Sequence, residues 1–173
     1  LIYWPISDSA APLSVKAINN VQHYLDHGGT ILFDTRDQNF TSGSLGGTPN
    51  AEALRRLVGN LNIPPLEPSP KDHVLTKSFY LLDHFPGKYT GGTLWVESGG
   101  SEGRDGVSSV IIGSHDWAGS WGSHQADRRN IYGTNRQEEL SLRFGVNLMM
   151  YALTGNYKAD QVHVPHILER LGQ

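Results

Sequence analysis

The chain has 173 residues, enough for one domain with a continuous core, and its 38% hydrophobic and 18% charged content is that of a folded globular protein. A formal net charge of -3 provides no basic field for releasing phosphate counterions, so nucleic acid is not expected as a partner. With no cysteine in the chain, disulfides, thiolate metal sites and iron–sulfur clusters are all excluded. Twenty glycines and nine prolines imply many turns.

Residues 1–4, Leu-Ile-Tyr-Trp, read as a short apolar strand stopped by Pro5, which has no N–H to offer a ladder. A chain that begins inside an apparent buried strand suggests a piece of a longer protein. Pro12-Leu13-Ser14 then signals a helix start. Val15, Ile18, Val21 and Leu25 form its apolar stripe, and Gly28 is placed to take a left-handed cap. Gly28-Gly29 hands over to a second strand, Thr30-Ile31-Leu32-Phe33, which ends on Asp34-Thr35-Arg36-Asp37. A strand, a helix and a strand in this order predict a parallel pair, and ligands in open α/β sheets sit at the carboxyl ends of such strands.

Residues 38–49 are rich in Gly, Ser, Thr and Asn, a loop long enough to face a ligand or to be a plain surface excursion. Asn50 is expected to cap the next helix, with Ala53, Leu54, Leu57, Val58 and Leu61 inward and Arg55-Arg56 outward. Residues 63–70 carry four prolines and cannot be helix or central strand, so they read as a stiff surface strap. Residues 73–89 show no clean period, with a short strand or turn near 79–82. Strand-like runs at 93–96 and 107–113 bracket a glycine-rich loop at 99–106, and the second run ends on Ser114-His115-Asp116-Trp117. The two polar strand ends, 34–37 and 114–117, are expected on one edge of one sheet. Thr134 or Asn135 caps a long helix that is apolar nearly all round and is therefore expected to be deeply buried. It ends at Gly155. A last helix begins near Pro165, with Ile167, Leu168 and Leu171 as a docking stripe. No apolar stretch approaches the ~20 residues of a membrane-spanning helix, so no direct membrane insertion by this chain is expected.

Chemistry is sought first at the strand ends. Asp34, Arg36 and Asp37 make either a binding cluster, with the planar Arg36 fork for a carboxylate or phosphate, or a salt bridge that only closes the turn. His115 and Asp116 make an acid/base pair or two metal ligands only if they converge, and neighbours on an extended chain point apart. A hydrogen-bonded structural histidine is the more ordinary role. Trp4 and Trp117, with Trp95 and Trp121, offer aromatic walls for a planar ring or for the core. The ligand-binding candidates are thus Trp4, Thr35, Arg36, Asp116 and Trp117 together with Asp34, Asp37 and His115. The last three are also the candidates for catalysis. His23 and His27 are the only histidine pair at helical i, i+4 spacing, and His-Glu-x-x-His is absent, so no metal centre is expected. Nothing in the pattern implies a cofactor.

Five segments carry a resemblance: Leu-Ile-Tyr-Trp-Pro-Ile at 1–6, Gly-Gly-Thr-Ile-Leu-Phe-Asp-Thr-Arg-Asp at 28–37, Asp-His-Val-Leu-Thr-Lys-Ser-Phe-Tyr-Leu-Leu at 72–82, Asp-Gly-Val-Ser-Ser-Val-Ile-Ile-Gly-Ser-His-Asp-Trp-Ala at 105–118, and Arg-Phe-Gly-Val-Asn-Leu-Met-Met-Tyr-Ala-Leu-Thr-Gly-Asn-Tyr-Lys at 143–158. Over essentially its whole length the chain resembles an uncharacterised bacterial domain family found at the C-terminus of large membrane proteins of the BatA, aerotolerance-operon type. That resemblance implies a single domain over 1–173 with a class I glutamine amidotransferase-like, flavodoxin-like fold. Such a fold is a doubly wound, mostly parallel sheet with helices on both faces, here without its first strand and helix. It also implies attachment to the cell membrane through a parent protein, and partners in an envelope assembly with von Willebrand-type segments and MoxR-type ATPases.

Amidotransferases of this fold place a cysteine at the turn after the strand that corresponds to 30–33, where this chain has Asp34, Thr35, Arg36 and Asp37. Without the thiol, and without a Gly-x-Ser-x-Gly context, glutaminase chemistry is not expected. The expected role is a non-catalytic domain that binds a small ligand or another protein. The alternative is a hydrolase that uses Asp34 or Asp37 with His115, assisted by a carboxylate-held divalent metal.

Overall fold

The computed structural model describes residues 1–38, 47–98, 107–122 and 135–154. The glycine-rich loop at 99–106, most of the loop at 38–49, the Thr134 cap, the Gly155 stop and the helix from Pro165 lie outside the described residues.

Among the described residues five strands form one open sheet in the order β1-β2-β5-β4-β3: β1 Ile2–Pro5, β2 Ile31–Asp34, β3 Leu66–Pro68, β4 Trp95–Glu97 and β5 Val110–Gly113. The β1–β2 and β2–β5 pairs are parallel, with Ile31 opposite Val110 and Asp34 opposite Gly113. The β5–β4 and β4–β3 pairs are antiparallel. The sheet is therefore mixed, half parallel and half antiparallel, rather than mostly parallel. The proline-rich strap contributes β3, whose Pro68 is tolerated because this is the outermost strand among the described residues.

Alternation along the central strands separates two cores. Ile31, Phe33 and Val110 face α1 (Val15–Asp26) and α2 (Pro49–Val58), meeting Leu25, Leu54 and Leu57. Leu32 and Ile111 face the other way, toward α4 (Asn135–Thr154), where Phe144, Leu148 and Tyr151 pack with Trp117 of the short α3 (Trp117–Trp121). The central strands are buried on both faces, as continuous apolar runs such as Ile31-Leu32-Phe33 require.

Helix ends follow local chemistry. The Ser14 side chain caps α1 through Ala17 N–H, and Gly28 follows its end with φ +86°, a backbone conformation that costs glycine nothing. Val15, the first residue of α1, is 74% exposed and does not belong to the buried stripe. Thr48, not Asn50, caps α2, because Pro49 occupies the first helical position and needs no partner for an N–H. The expectation for α4 is also corrected. Phe144, Leu148 and Tyr151 are buried, but Leu142, Val146, Met149 and Leu153 are 38–73% exposed, so only one of its two apolar faces is covered.

Residues 74–82 have little regular structure beyond a short 3-10 turn at Val74–Thr76. They are held by one buried amide. Asn147 Oδ1 accepts from Phe79 N–H at 3.1 Å and Tyr80 N–H at 2.7 Å, while its Nδ2 donates to Leu75 O and Tyr80 O, both at 2.8 Å. All four polar valences of the side chain are filled, so a fully buried asparagine is stable in the core. Among the described residues no helix is long and apolar enough to cross a membrane.

Candidate functional site

Because β2 and β5 are parallel neighbours, their carboxyl ends bring segments 34–37 and 114–117 together. The link between them is Asp34, which is fully buried. Its Oδ2 accepts from the Tyr3 hydroxyl at 2.7 Å and from Trp117 N–H at 2.9 Å. Its Oδ1 accepts from Arg36 N–H at 3.0 Å and from Asp116 N–H at 3.3 Å. One carboxylate thus ties β1, the turn after β2 and the first turn of α3. Burial raises its pKa, and the hydrogen bonds from Tyr3, Trp117, Arg36 and Asp116 pull the other way. Burial, together with the adjoining Asp34 charge, raises the Tyr3 phenol.

Two residues reach this arrangement through left-handed backbone, Arg36 at φ 58° and Asp116 at φ 53°. Such geometry costs a non-glycine residue ~1 kcal/mol or more, and here it turns both N–H groups back onto Asp34. The Arg36 guanidinium does not reach Asp34 or Asp37. It donates from Nη2 to Ile6 O at 2.7 Å, tying the end of β1 to the turn. Asp116 caps α3 by accepting from Gly119 N–H at 3.3 Å, and Lys88 Nζ lies 3.4 Å from its Oδ2.

His115 has no exposed surface. Its Nδ1 accepts from Ser114 N–H at 3.3 Å, which leaves Nε2 to donate to Gly92 O at 3.2 Å. The ring stacks on Trp117 with centroids 4.4 Å apart, and Trp117 stacks on Phe144 at 4.9 Å. A Cβ added at Gly92 would stand 2.8 Å from Nε2, so the slot is already filled. Burial pushes the imidazole down to about 4, and it is neutral at pH 7. Both ring nitrogens are bound to backbone and neither touches Asp34 or Asp37. Trp117 itself is buried, donating its indole N–H to Pro86 O at 3.1 Å, and Trp4 packs against Phe33 on the opposite core.

Asp37 and Thr35 occupy a different setting. They line a cavity of about 450 Å³ between the ends of β2 and β5, helix α2 and the antiparallel half of the sheet. Thr35 Oγ1 donates to Asp37 Oδ1 at 2.5 Å and Thr48 Oγ1 donates to Oδ2. Asn50 Nδ2 donates to Thr35 O at 2.7 Å, locking the start of α2 to the turn after β2. Leu54, Val58, Leu66, Trp95 and Ile112 form the apolar wall, and Arg55 joins from the exposed side of α2. The cavity's size and mostly apolar lining with few polar groups are those of a small-molecule site.

Of the sequence candidates, Thr35 and Asp37 thus line the cavity, Asp34 and Asp116 join the two strand ends, and Trp4, His115 and Trp117 pack in the cores. Sequence reasoning did not single out Tyr3, Thr48 or Arg55 for the site, and it considered Trp95 only as one of four tryptophans. Only Thr48 carried a local signal, the Thr-Pro dipeptide of a helix start. No curated protein matches the chain. Residues 1–153 match the model of a domain of unknown function, DUF4159, and the chain belongs to that family.

Proposed function

We propose that this domain is a non-catalytic module that binds a small ligand, or a neighbouring protein segment, within a membrane-anchored bacterial envelope protein. The observation that carries this reading is that Asp34 and His115 are both fully engaged and that the His115 ring meets neither Asp34 nor Asp37. Asp34 accepts four hydrogen bonds, three of them from backbone, and both His115 nitrogens are bound to backbone. A general base needs a free lone pair within reach of a substrate proton, and a neutral histidine wedged between Trp117 and Gly92 has none to offer. The Thr35 hydroxyl already donates to Asp37, a carboxylate that no histidine among the described residues backs to complete a relay. What the strand ends retain is the cavity beside Asp37.

The envelope setting, with a BatA-type parent and MoxR-type ATPase machinery as partners, is supported by the sequence resemblance. The finer fold assignment, amidotransferase-like, is supported by the parallel β1–β2–β5 half of the sheet and by helices on both of its faces.

The test is paired. The purified domain is expected to turn over no member of an amide, ester and phosphoester panel, with or without divalent metal, while a small-ligand thermal-shift screen finds compounds that raise the melting temperature. Turnover that disappears in Asp37→Asn or His115→Gln would replace this reading with the hydrolase alternative.

A further inference from the structure

The charges around the strand-end cavity define what it holds, an inference that rests on reading that cavity as a binding pocket. Asp37 is 4% exposed, yet its only hydrogen-bond partners among the described residues are the hydroxyls of Thr35 and Thr48. Ion pairs among the described residues join Lys88 to Asp116, Arg143 to Glu139 and His84 to Asp83, and none includes Asp37. Two hydroxyl dipoles orient a carboxylate but do not neutralise it, and a buried charge without a counterion is costly. Each oxygen keeps a further lone pair for a donor that enters from the cavity.

Arg55 lines the same cavity and likewise has no ion-pair partner among the described residues. Its guanidinium lies against Gly47, where an added Cβ would be 3.3 Å from Nη1. Asp37 and Arg55 therefore face one space without closing on each other. A simple cation drawn to Asp37 would meet the Arg55 charge, and a simple anion drawn to Arg55 would meet Asp37. A ligand that carries both charges satisfies both groups, and the wall of Leu66, Trp95 and Ile112 takes its apolar part.

We propose that the cavity recognises a small zwitterion of the amino-acid type, with its ammonium on Asp37, its carboxylate on Arg55 and an apolar or aromatic body against Trp95. A site that pairs both ends rejects an analogue lacking either one, because a charged group of the protein is then left unmatched.

The test titrates the whole chain with leucine and phenylalanine, with their decarboxylated amines and with their deaminated acids, followed by calorimetry and by Trp fluorescence. The amino acids are expected to bind at least about tenfold more tightly than either truncated analogue. Arg55→Gln is expected to bring the amino acid down to the level of its amine, and Asp37→Asn to bring it down to the level of its acid. Arg55 is exposed, so its variant keeps the fold even if the Asp37 variant does not. Equal binding of amine and amino acid, an unchanged preference in Arg55→Gln, or no binding across the panel would each overturn the zwitterion. A neutral aromatic compound that binds and is lost on Trp95→Ala would overturn it while leaving the binding-pocket reading intact. Turnover lost on Asp37→Asn would instead remove that underlying reading.

Discussion

At the scale of single residues, whether a strand-end group that looks reactive in the sequence can take up a proton depends on its setting. His115 shows why burial decides this. Its unfolded value of 6.5 falls to about 4 in the folded chain, chiefly because the buried ring cannot hydrate a charge. The group contributes stability that is complete above pH 6.5 and is lost as the pH falls toward 4, since the unfolded chain then binds the extra proton. At pH 5 the loss from this residue is on the order of 2 kcal/mol. Burial lowers His73 as well, which adds in the same sense. The raised Asp34 acts oppositely, taking a proton more readily in the folded state as acid is added. Urea unfolding at pH 7.5 and 5.0 separates these contributions. Wild-type stability is expected to drop further between the two than that of His115→Gln, which starts lower. Parallel losses in the two proteins would show that His115 is not the buried neutral group described.

At the scale of elements, what was legible in the sequence was whatever short-range chemistry determines. Ser14 and the left-handed Gly28 bound α1 where the apolar spacing places it, and Gly28-Gly29 leads into β2 as expected. The two polar strand ends were also legible as neighbours, because each follows a strand of the parallel half. The rest depends on partners far apart in the chain. Tyr3 meets Asp34 across 31 residues, and Asn147 holds residues 79–80 across 67–68, so no local window contains either pair. The start of α2 lies between these cases. Thr48 has a double role that Asn50 lacks, accepting from Ala51 N–H at 3.2 Å to cap the helix while donating to buried Asp37. Thr48→Ala is expected to destabilise the domain by about 2 kcal/mol, combining a lost cap with a carboxylate stripped of a donor. Thr48→Ser keeps both bonds and is expected to recover most of that. Chemical denaturation of the two variants measures the difference, and an alanine variant as stable as the serine one would contradict the dual role.

At the scale of the whole molecule, the two faces of the sheet are unequally finished. The α1–α2 side presents mainly polar residues outward, whereas α4 turns Leu142, Val146, Met149 and Leu153 toward solvent. A groove of about 520 Å³ runs beside that stripe, bordered by Leu1, Tyr3 and Trp121 near β1, the edge strand of the parallel half. The all-round apolar pattern of α4 led to an expectation of complete burial because periodicity reports which residues are apolar and not how many layers of chain surround them. Exposure and burial on this one helix predict opposite mutational responses. Met149→Lys moves a half-exposed side chain and is expected to change stability by less than about 0.5 kcal/mol, while Leu148→Ala, one residue earlier, empties a packed site and is expected to cost ~2–5 kcal/mol. An apolar stripe beside a strand edge also favours sticking between molecules, so Val146→Lys with Met149→Lys is expected to weaken concentration-dependent association in sedimentation runs. A Met149→Lys variant as damaged as Leu148→Ala would mean that this face of α4 is covered in the folded protein. Unchanged association in the double variant would mean that the stripe does not draw copies of the chain together.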